Sequence, residues 1–330
     1  MRRGRSEPLF RRLRFVGRSR THPPVPPLFG QREGGARRAG VRWSPRRRAL
    51  EGLSQKWPSI LENPEGNGPR RFSPVNGPGG EVLLLPGERL DRLGRDGLLR
   101  IIQHPRLFRF SIDAYLLAAC ARPRPGDRLL ELGSGNGAVL LLLAGRTEVA
   151  CAVGLEIQPV LVEMARRSIL LNGLTGRVEV RLGDLRRDET LPPEPFDLVV
   201  ANPPYLRVDG GTRSPLGSLA IARHELACTL EEVVRAAARC LKEGGRLVMV
   251  HRALRLAELF TELKRVCLAP KRLAMVHPRP GARAALILVE AHAGARAGLM
   301  VMPPIFVRDE SGDFTPEMEE VFAGRWPWRS

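Results

Sequence analysis

The sequence predicts an α/β fold with a central sheet of seven strands, mostly parallel, with an antiparallel edge pair. Short apolar runs alternate with amphipathic helical segments between residues 98 and 267, an order typical of parallel sheets. Only Pro278-Arg279-Pro280-Gly281 connects the last two runs, which leaves no room for a crossover helix and predicts an antiparallel pair. The strands are expected at 128–132, 149–156, 178–182, 196–201, 246–251, 271–276 and 284–290.

Charge divides the chain into two parts. Residues 1–80 hold 18 of the 53 Lys and Arg and 5 of the 35 Asp and Glu, or +13, whereas the remainder carries 35 − 30, or +5. The same segment holds 23 Gly and Pro, a composition typical of disorder. We therefore expect a basic Pro/Gly/Arg-rich extension at 1–80 and a folded domain at 81–330. The extension is open to three interpretations: an arm that attracts RNA phosphates, a dispensable addition, or an organellar transit peptide.

Composition also argues against membrane and metal functions. No apolar run reaches the roughly 18 to 20 residues that span a bilayer. The five cysteines are odd in number and widely spaced, which suits reduced thiols in a cytoplasmic protein. Because no Cys-x-x-Cys occurs and the six histidines are scattered, we expect no metal site.

A glycine-rich turn follows the first strand of the sheet. Residues 128–132 run directly into Gly133-Ser134-Gly135-Asn136-Gly137, and an apolar helix begins at Ala138. A strand, a tight glycine turn and a helix start form a ligand-binding unit, since glycine lets the backbone approach the ligand closely. The same letters match the dinucleotide fingerprint G-x-G-x-x-A, so an NAD-dependent oxidoreductase stays open as an alternative.

Two carboxylates follow the next two strands. Glu156 closes the second strand, 21 residues after Gly135, where an acidic side chain can accept both hydroxyls of a ribose. Asp184 follows the third strand and is interpreted as an acceptor for an adenine amino group. A helix cap before Leu185 is the alternative for Asp184.

The fourth strand, 196–201, ends at Asn202-Pro203-Pro204-Tyr205. An amine that attacks an electrophilic methyl group needs acceptors for its N–H groups, and the Asn202 side chain and the Pro203 carbonyl can supply two. Tyr205 offers a ring face on which a flipped-out base can stack. An ordinary Asn-Pro turn is the alternative. A hydride-transfer enzyme has no use for this tetrapeptide.

The loop that follows, 206–224, lacks helical periodicity and carries Arg207, Arg213 and Arg223. We interpret these arginines as contacts for substrate phosphates, with a solvated loop as the alternative. His251 and His277 each end a strand and are interpreted as solvated or hydrogen-bonded imidazoles rather than general bases.

Four features in this order resemble the class I S-adenosylmethionine-dependent methyltransferases that methylate amino groups. They are Glu131-x-Gly-x-Gly-x-Gly, Glu156, Asp184 and Asn-Pro-Pro-Tyr. Further segments resemble, more narrowly, the tRNA1(Val) adenine-37 N6-methyltransferase family. They are Ile101-Ile102-Gln103, Phe110-Ser111-Ile112-Asp113-Ala114, Glu156-Ile157-Gln158-Pro159, Ala222-Arg223-His224-Glu225 and His277-Pro278-Arg279-Pro280. The likeness covers residues 81–320.

This resemblance implies a Rossmann-like sheet, S-adenosylmethionine as cofactor, and methyl transfer to the N6 amine of a tRNA adenine, adenine 37 of the anticodon loop. It implies catalytic roles for Asn202, Pro203, Pro204 and Tyr205. The cofactor residues implied are Glu131, Gly133, Ser134, Gly135, Asn136, Gly137, Glu156, Ile157, Asp184, Leu185 and Asn202. Substrate contacts are expected at Tyr205, Arg207, Arg213 and Arg223. Two alternatives stay open: a release-factor glutamine N5-methyltransferase, which shares the tetrapeptide, and a non-catalytic RNA-binding module with a relic cofactor pocket.

Overall fold

Two short hairpins precede the main sheet in the computed structural model of the protein, which describes residues 72–107, 109–203 and 228–328. Strand β1 (Ser73–Gly77) pairs with β2 (Gly80–Leu84), and β3 (Arg89–Leu93) pairs with β4 (Leu99–Gln103). The boundary expected after residue 80 therefore needs correction, because it falls inside β2. Val82 and Leu84 hold this hairpin on the domain through their buried side chains. The rest of the expected extension, 1–71, lies outside the described residues.

The seven strands expected from the sequence are all present in one sheet. They are β5 (Arg128–Leu132), β6 (Cys151–Glu156), β7 (Val178–Leu182), β8 (Phe196–Ala201), β9 (Leu241–Arg252), β10 (Leu268–His277) and β11 (Leu286–Ala293). Their order across the sheet is β7-β6-β5-β8-β9-β11-β10. Pairing is parallel from β7 to β9, and β11 is antiparallel to both of its neighbours. The predicted α/β class with a mostly parallel sheet is confirmed.

Two details of the sheet differ from the prediction. Strands β12 (Met300–Val301) and β13 (Ile305–Phe306) add to the edge along β10, and two-residue strands leave no periodic signal in a sequence. Strand β9 begins at Leu241 instead of residue 246. Leu241 pairs with Phe196 and Arg246 with Leu198, so the residues between them on β9, including both glycines, form a bulge.

Helices cover both faces of the sheet. They are α1 (Ile112–Ala121), α2 (Ala138–Ala144), α3 (Pro159–Leu171), α4 (Leu230–Cys240), α5 (Leu256–Arg265) and α6 (Pro316–Phe322). Side chains of a strand alternate between faces. Leu129 therefore belongs to the hydrophobic cluster that includes α1, α2, α3 and α6, and Leu130 belongs to the cluster that includes α4 and α5. The Ser111 hydroxyl accepts a hydrogen bond from the Asp113 N–H at 3.4 Å and caps the start of α1.

Helix α3 holds the two hairpins on the domain. The Ser168 hydroxyl accepts from the Ile102 N–H at 3.0 Å, and the Asn172 amide bonds both backbone groups of Arg100. Arg167 is buried and makes two hydrogen bonds of 2.6 Å to the Glu88 carboxylate between β2 and β3. Both hairpins are thereby fixed on the domain, and β4 lies beside the glycine turn that follows β5.

No helix within the described ranges is long and apolar enough to cross a membrane. Within the same ranges, no group of three or more His, Cys, Asp or Glu is placed to hold a metal ion.

Candidate active site

Four neighbouring parallel strands end in a row, and each end carries one of the residues singled out from the sequence. Leu132 pairs with Ala201, so Asn202 follows β8 beside Gly133 after β5. The Gly133 N–H donates to the Leu155 carbonyl at 2.9 Å, which places Glu156 next in the row. The Gly183 N–H donates to the Glu156 carbonyl at 2.9 Å, and Asp184 follows. At about 4.8 Å between strands, the row spans roughly 14 Å.

The glycine turn has a backbone that other residues rarely adopt. Gly133, Gly135 and Gly137 have φ of +71°, +55° and +84°, in the left-handed region. A Cβ built on Gly133 would enter open space. The glycines therefore form the turn, and Gly133 leaves open space at its surface that a side chain would fill, as expected for a turn that approaches a ligand.

Glu156 connects this turn to the start of α3. Its Oε2 accepts from the Gly135 N–H at 2.9 Å, and its Oε1 accepts from the Gln158 N–H at 2.9 Å. Burial raises the pKa of this carboxyl above its ordinary value, although the backbone donors from Gln158, Gly135 and Ile157 act in the opposite direction. Each carboxylate oxygen has a second lone pair, so both keep capacity to accept from a ligand hydroxyl.

Several buried polar atoms around the turn have no hydrogen-bond partner within the described part of the chain. They are Glu131 Oε2, Ser134 Oγ and Asn136 Oδ1. Burial also raises the pKa of Glu131 well above its ordinary value, with the charge of Glu156 adding to the effect. Since buried polar groups are normally paired, this cluster is the environment expected beside a polar ligand.

Asp184 forms an ion pair with Arg186. The Arg186 guanidinium donates to both Asp184 oxygens at 2.7–3.0 Å, and the Arg186 N–H donates to Oδ1 at 3.0 Å. The Arg186 hydrogen bonds hold the pKa of Asp184 below its ordinary value, so the carboxylate is ionised and acts only as an acceptor. Ile157 and Leu185, beside the two carboxylates, are half-buried.

The tetrapeptide after β8 is described in its first half. Asn202 is half-buried and Pro203 is buried. The other residues for which the sequence predicts catalytic or substrate roles lie outside the described residues. They are Pro204, Tyr205, Arg207, Arg213 and Arg223.

A contact missed by sequence reasoning closes one side of the turn. The Asn136 amide donates to the Ile102 carbonyl of β4 at 3.3 Å. The next residue, Gln103, is buried, donates its amide to Asp91, and leaves Oε1 without a described partner. Hairpin β3–β4 is thus a wall of the site. Its only signal in the sequence was the short segment Ile101-Ile102-Gln103, which carried no assigned role.

The two histidines agree with the interpretation that they are not general bases. His251 is buried and its Nδ1 accepts from the Arg252 N–H at 2.9 Å. Burial, with the positive charge of Arg255, lowers the pKa of His251 to about 4. His277 Nδ1 lies 2.8 Å from the Ala282 carbonyl, which makes it the donor in that bond.

A family model described as a methyltransferase domain matches residues 123–291, slightly more than half of the chain. A predicted O-methyltransferase from Agrobacterium tumefaciens superposes with a TM-score of 0.54 at 29% identity, over 66% of this chain and 98% of that protein. The fold and the matched domain are therefore those of an S-adenosylmethionine-dependent methyltransferase.

Curated relatives narrow this class. A tRNA1(Val) (adenine(37)-N6)-methyltransferase from Porphyromonas gingivalis is 30% identical over 189 residues, which cover 55% of this chain and 73% of the relative. A protein of the same name from Haemophilus influenzae is 33% identical over 141 residues, 42% of this chain and 60% of the relative. The chain belongs to the tRNA1(Val) (adenine(37)-N6)-methyltransferase family, as the resemblance of its motifs predicts.

Proposed function

We propose that the protein transfers a methyl group from S-adenosylmethionine to the N6 amine of an adenine in tRNA, at position 37 of the anticodon loop. The observation that carries the proposal is the row Asn202, Gly133, Glu156 and Asp184 across four adjacent strand ends. The curated relatives support the choice of tRNA and adenine through their names. Such a reaction is expected in the cytoplasm.

The residues present fit this cofactor. The glycine turn would hold the methionine part, where Ser134 and Asn136 offer unpartnered polar atoms. Glu156 would accept the ribose hydroxyls, and Asp184 would accept the adenine amine, beside Ile157 and Leu185. When bound, S-adenosylmethionine supplies an electrophilic methyl group whose leaving group is a neutral thioether.

The protein's part in the reaction is to orient the amine. The Asn202 side chain and the Pro203 carbonyl would accept its N–H groups and direct the nitrogen lone pair at the methyl carbon. The amine nitrogen would form its new bond to the methyl group that the cofactor supplies, and it would then lose its extra proton to solvent. Tyr205 would stack on the adenine, and Arg207, Arg213 and Arg223 would contact phosphates.

The deciding experiment incubates the full-length protein with methyl-labelled cofactor and either total tRNA or a release factor, followed by nucleoside analysis of the tRNA and amino-acid analysis of the release factor. Label in N6-methyladenosine, mapped to position 37, is the expected result. Label recovered instead in a release-factor glutamine would replace this proposal by the protein-methylating alternative, which no observation on the chain favours. Cofactor binding without transfer to either substrate would indicate a non-catalytic role.

A further inference from the structure

The loop between β10 and β11 presents exposed arginines on a fixed turn. We propose that residues 278–283, called the basic turn below, bind phosphates of the RNA substrate next to the reacting adenine. This inference rests on the proposed function and adds a docking surface to it. Arg279 and Arg283 flank Pro280-Gly281 in this segment, and both are exposed.

The backbone of the basic turn is well defined by hydrogen bonds. The Ala282 N–H donates to the Arg279 carbonyl at 3.2 Å, and Gly281 between them has a φ of +74°. Proline followed by a left-handed glycine is the pattern of a type II turn, in which proline pre-sets the backbone. The two arginines are therefore displayed on a rigid turn, so little conformational entropy is lost when a ligand binds it.

Neighbouring groups fix the base of the turn. His277 donates from Nδ1 to the Ala282 carbonyl at 2.8 Å, and the Phe306 ring packs on the imidazole with centroids 5.4 Å apart. The Arg308 N–H donates to the Pro278 carbonyl at 3.0 Å. This set of contacts explains His277 as a support for the turn.

Sheet register brings the basic turn to the same edge as the active site. The Ala253 N–H donates to the Ala285 carbonyl at 3.0 Å, and Arg252 pairs with Leu286, so the exposed Arg252 lies beside the end of the turn. Ala201, just before Asn202, pairs with Met249 of the same strand β9. From β8 to β10 is three strand steps, roughly 14 Å. Arginines at that distance reach phosphates that flank a base held at Asn202.

Charge at this edge favours an anionic partner. Arg279 and Arg283 have no ion pair or side-chain hydrogen bond with any residue that the structure describes. The acidic Glu258 nearby is paired with Arg255. Asp309 and Glu310 follow Arg308, and the Asp309 carboxylate accepts from the Asp313 N–H at 3.0 Å within its own turn. Guanidinium groups bind phosphate oxygens in bidentate geometry, which suits an RNA backbone.

An exposed apolar side chain accompanies the arginines. Leu254, in the short 3-10 helix after β9, is 81% exposed. It follows Arg252 by two residues and adds a non-polar contact for a ribose or base edge beside the phosphates. The mixture of arginine and exposed leucine fits nucleic acid better than a small anion.

The test compares two double variants with the same change in charge. Arg279→Ala with Arg283→Ala removes the basic turn's cations, and Arg124→Ala with Arg296→Ala removes two exposed arginines at the opposite, amino-terminal edge of the sheet.

Binding of an unmodified tRNA transcript is measured by fluorescence anisotropy over a range of salt concentrations. The first pair should weaken binding about tenfold or more. It should also make the slope of log K against log salt shallower by roughly 1.4 to 1.8, as two lost phosphate contacts predict. The control pair should change neither.

Further measurements separate docking from folding and from the proposed function. Arg279→Lys with Arg283→Lys keeps the charge and should restore the salt slope, and all variants should bind S-adenosylmethionine with wild-type affinity in calorimetry. Equal effects of the two alanine pairs, with wild-type protein that binds and methylates tRNA, would overturn this inference alone. Wild-type protein that binds no tRNA would overturn the proposed function, and the docking surface with it.

Discussion

At the scale of single residues, the site depends on which residues directly follow the ends of the strands. Asn202 is the first residue after β8, beside the glycine turn that follows β5. The amine of adenine is a weak nucleophile because its lone pair is delocalised into the ring, so acceptors already in place should contribute most in the transition state. The contribution of Asn202 is therefore expected in the rate of methyl transfer and hardly at all in cofactor binding.

Asn202→Ala should lower methyl transfer about a hundredfold or more, the scale of a lost transition-state hydrogen bond. Cofactor affinity, which we propose depends on the glycine turn and Glu156, should be nearly unchanged. Single-turnover kinetics and calorimetry measure the two quantities. Asn202→Asp keeps an acceptor oxygen and serves as the conservative control. A fully active Asn202→Ala enzyme would mean that amine orientation by this residue is not part of the mechanism.

Glu131 gives a prediction for pH. Its pKa is raised well above the ordinary value of 4.5, first by burial and then by Glu156. The folded state thus holds this proton more tightly than the unfolded state, and above pH 4.5 folding takes up a proton. The free energy of unfolding should therefore fall as the pH rises above 4.5. Glu131→Gln removes this contribution.

The measurement is urea unfolding of wild type and Glu131→Gln across that pH range. Because other carboxyls titrate in both proteins, the difference between the two curves isolates Glu131. Wild type should lose stability relative to the variant as the pH rises. Parallel curves would show that the Glu131 pKa is ordinary in the folded protein.

At the scale of elements, the buried pair Arg167–Glu88 connects α3 to the turn between the two hairpins. Arg167 also donates to the Leu83 carbonyl at 2.7 Å, and Glu88 accepts from the Leu85 N–H at 2.7 Å. Both side chains are almost fully inaccessible, at 1% and 0% exposure. Removal of Arg167 leaves the Glu88 charge buried without compensation, and removal of Glu88 leaves the buried Arg167 with only the longer contact to Glu163 at 3.9 Å.

Glu88→Gln or Arg167→Met should each lower the free energy of unfolding by about 3 to 5 kcal/mol. The double variant should lose much less than the sum, since it leaves no isolated buried charge. Urea unfolding of the wild type, the two single variants and the double variant completes the double-mutant cycle. Glu320→Ala, which breaks an exposed pair with Arg325, is the control and should leave the midpoint unchanged. Additive losses would show that the two groups do not act as a pair.

At the scale of the whole molecule, the chain divides into a described domain and the basic extension before it. The extension has too little periodic apolar sequence to contribute a core, which is the basis for proposing that it is separable. Hairpin β1–β2, by contrast, packs Val82 and Leu84 against Val160 and Met164 of α3. The domain thus includes Phe72 to Gly80, which precede the residue 81 expected from composition.

A chain starting at Phe72 should keep the melting temperature of the full-length protein. One starting at Leu85 loses the hairpin, its apolar contacts and the Leu83 acceptor of Arg167, and should melt several degrees lower. Thermal unfolding followed by circular dichroism distinguishes them. If the extension also serves as an RNA arm, full-length protein will show a steeper dependence of RNA binding on salt. A lower melting temperature in the chain from Phe72 would contradict the separable extension.

The sequence by itself determined the fold class and the order of the site residues. Buried parallel strands are short apolar runs, and the special backbone of Gly133, Gly135 and Gly137 requires glycine, so both leave local signals. The tertiary structure decided which strand ends are neighbours, and so that Asn202, which follows the fourth strand in sequence, lies beside Gly133 after the first. It also decided that hairpin β3–β4 and the basic turn both lie at this edge of the sheet. Strand order and register arise from contacts between residues that are distant in the chain, so no local sequence pattern predicts them.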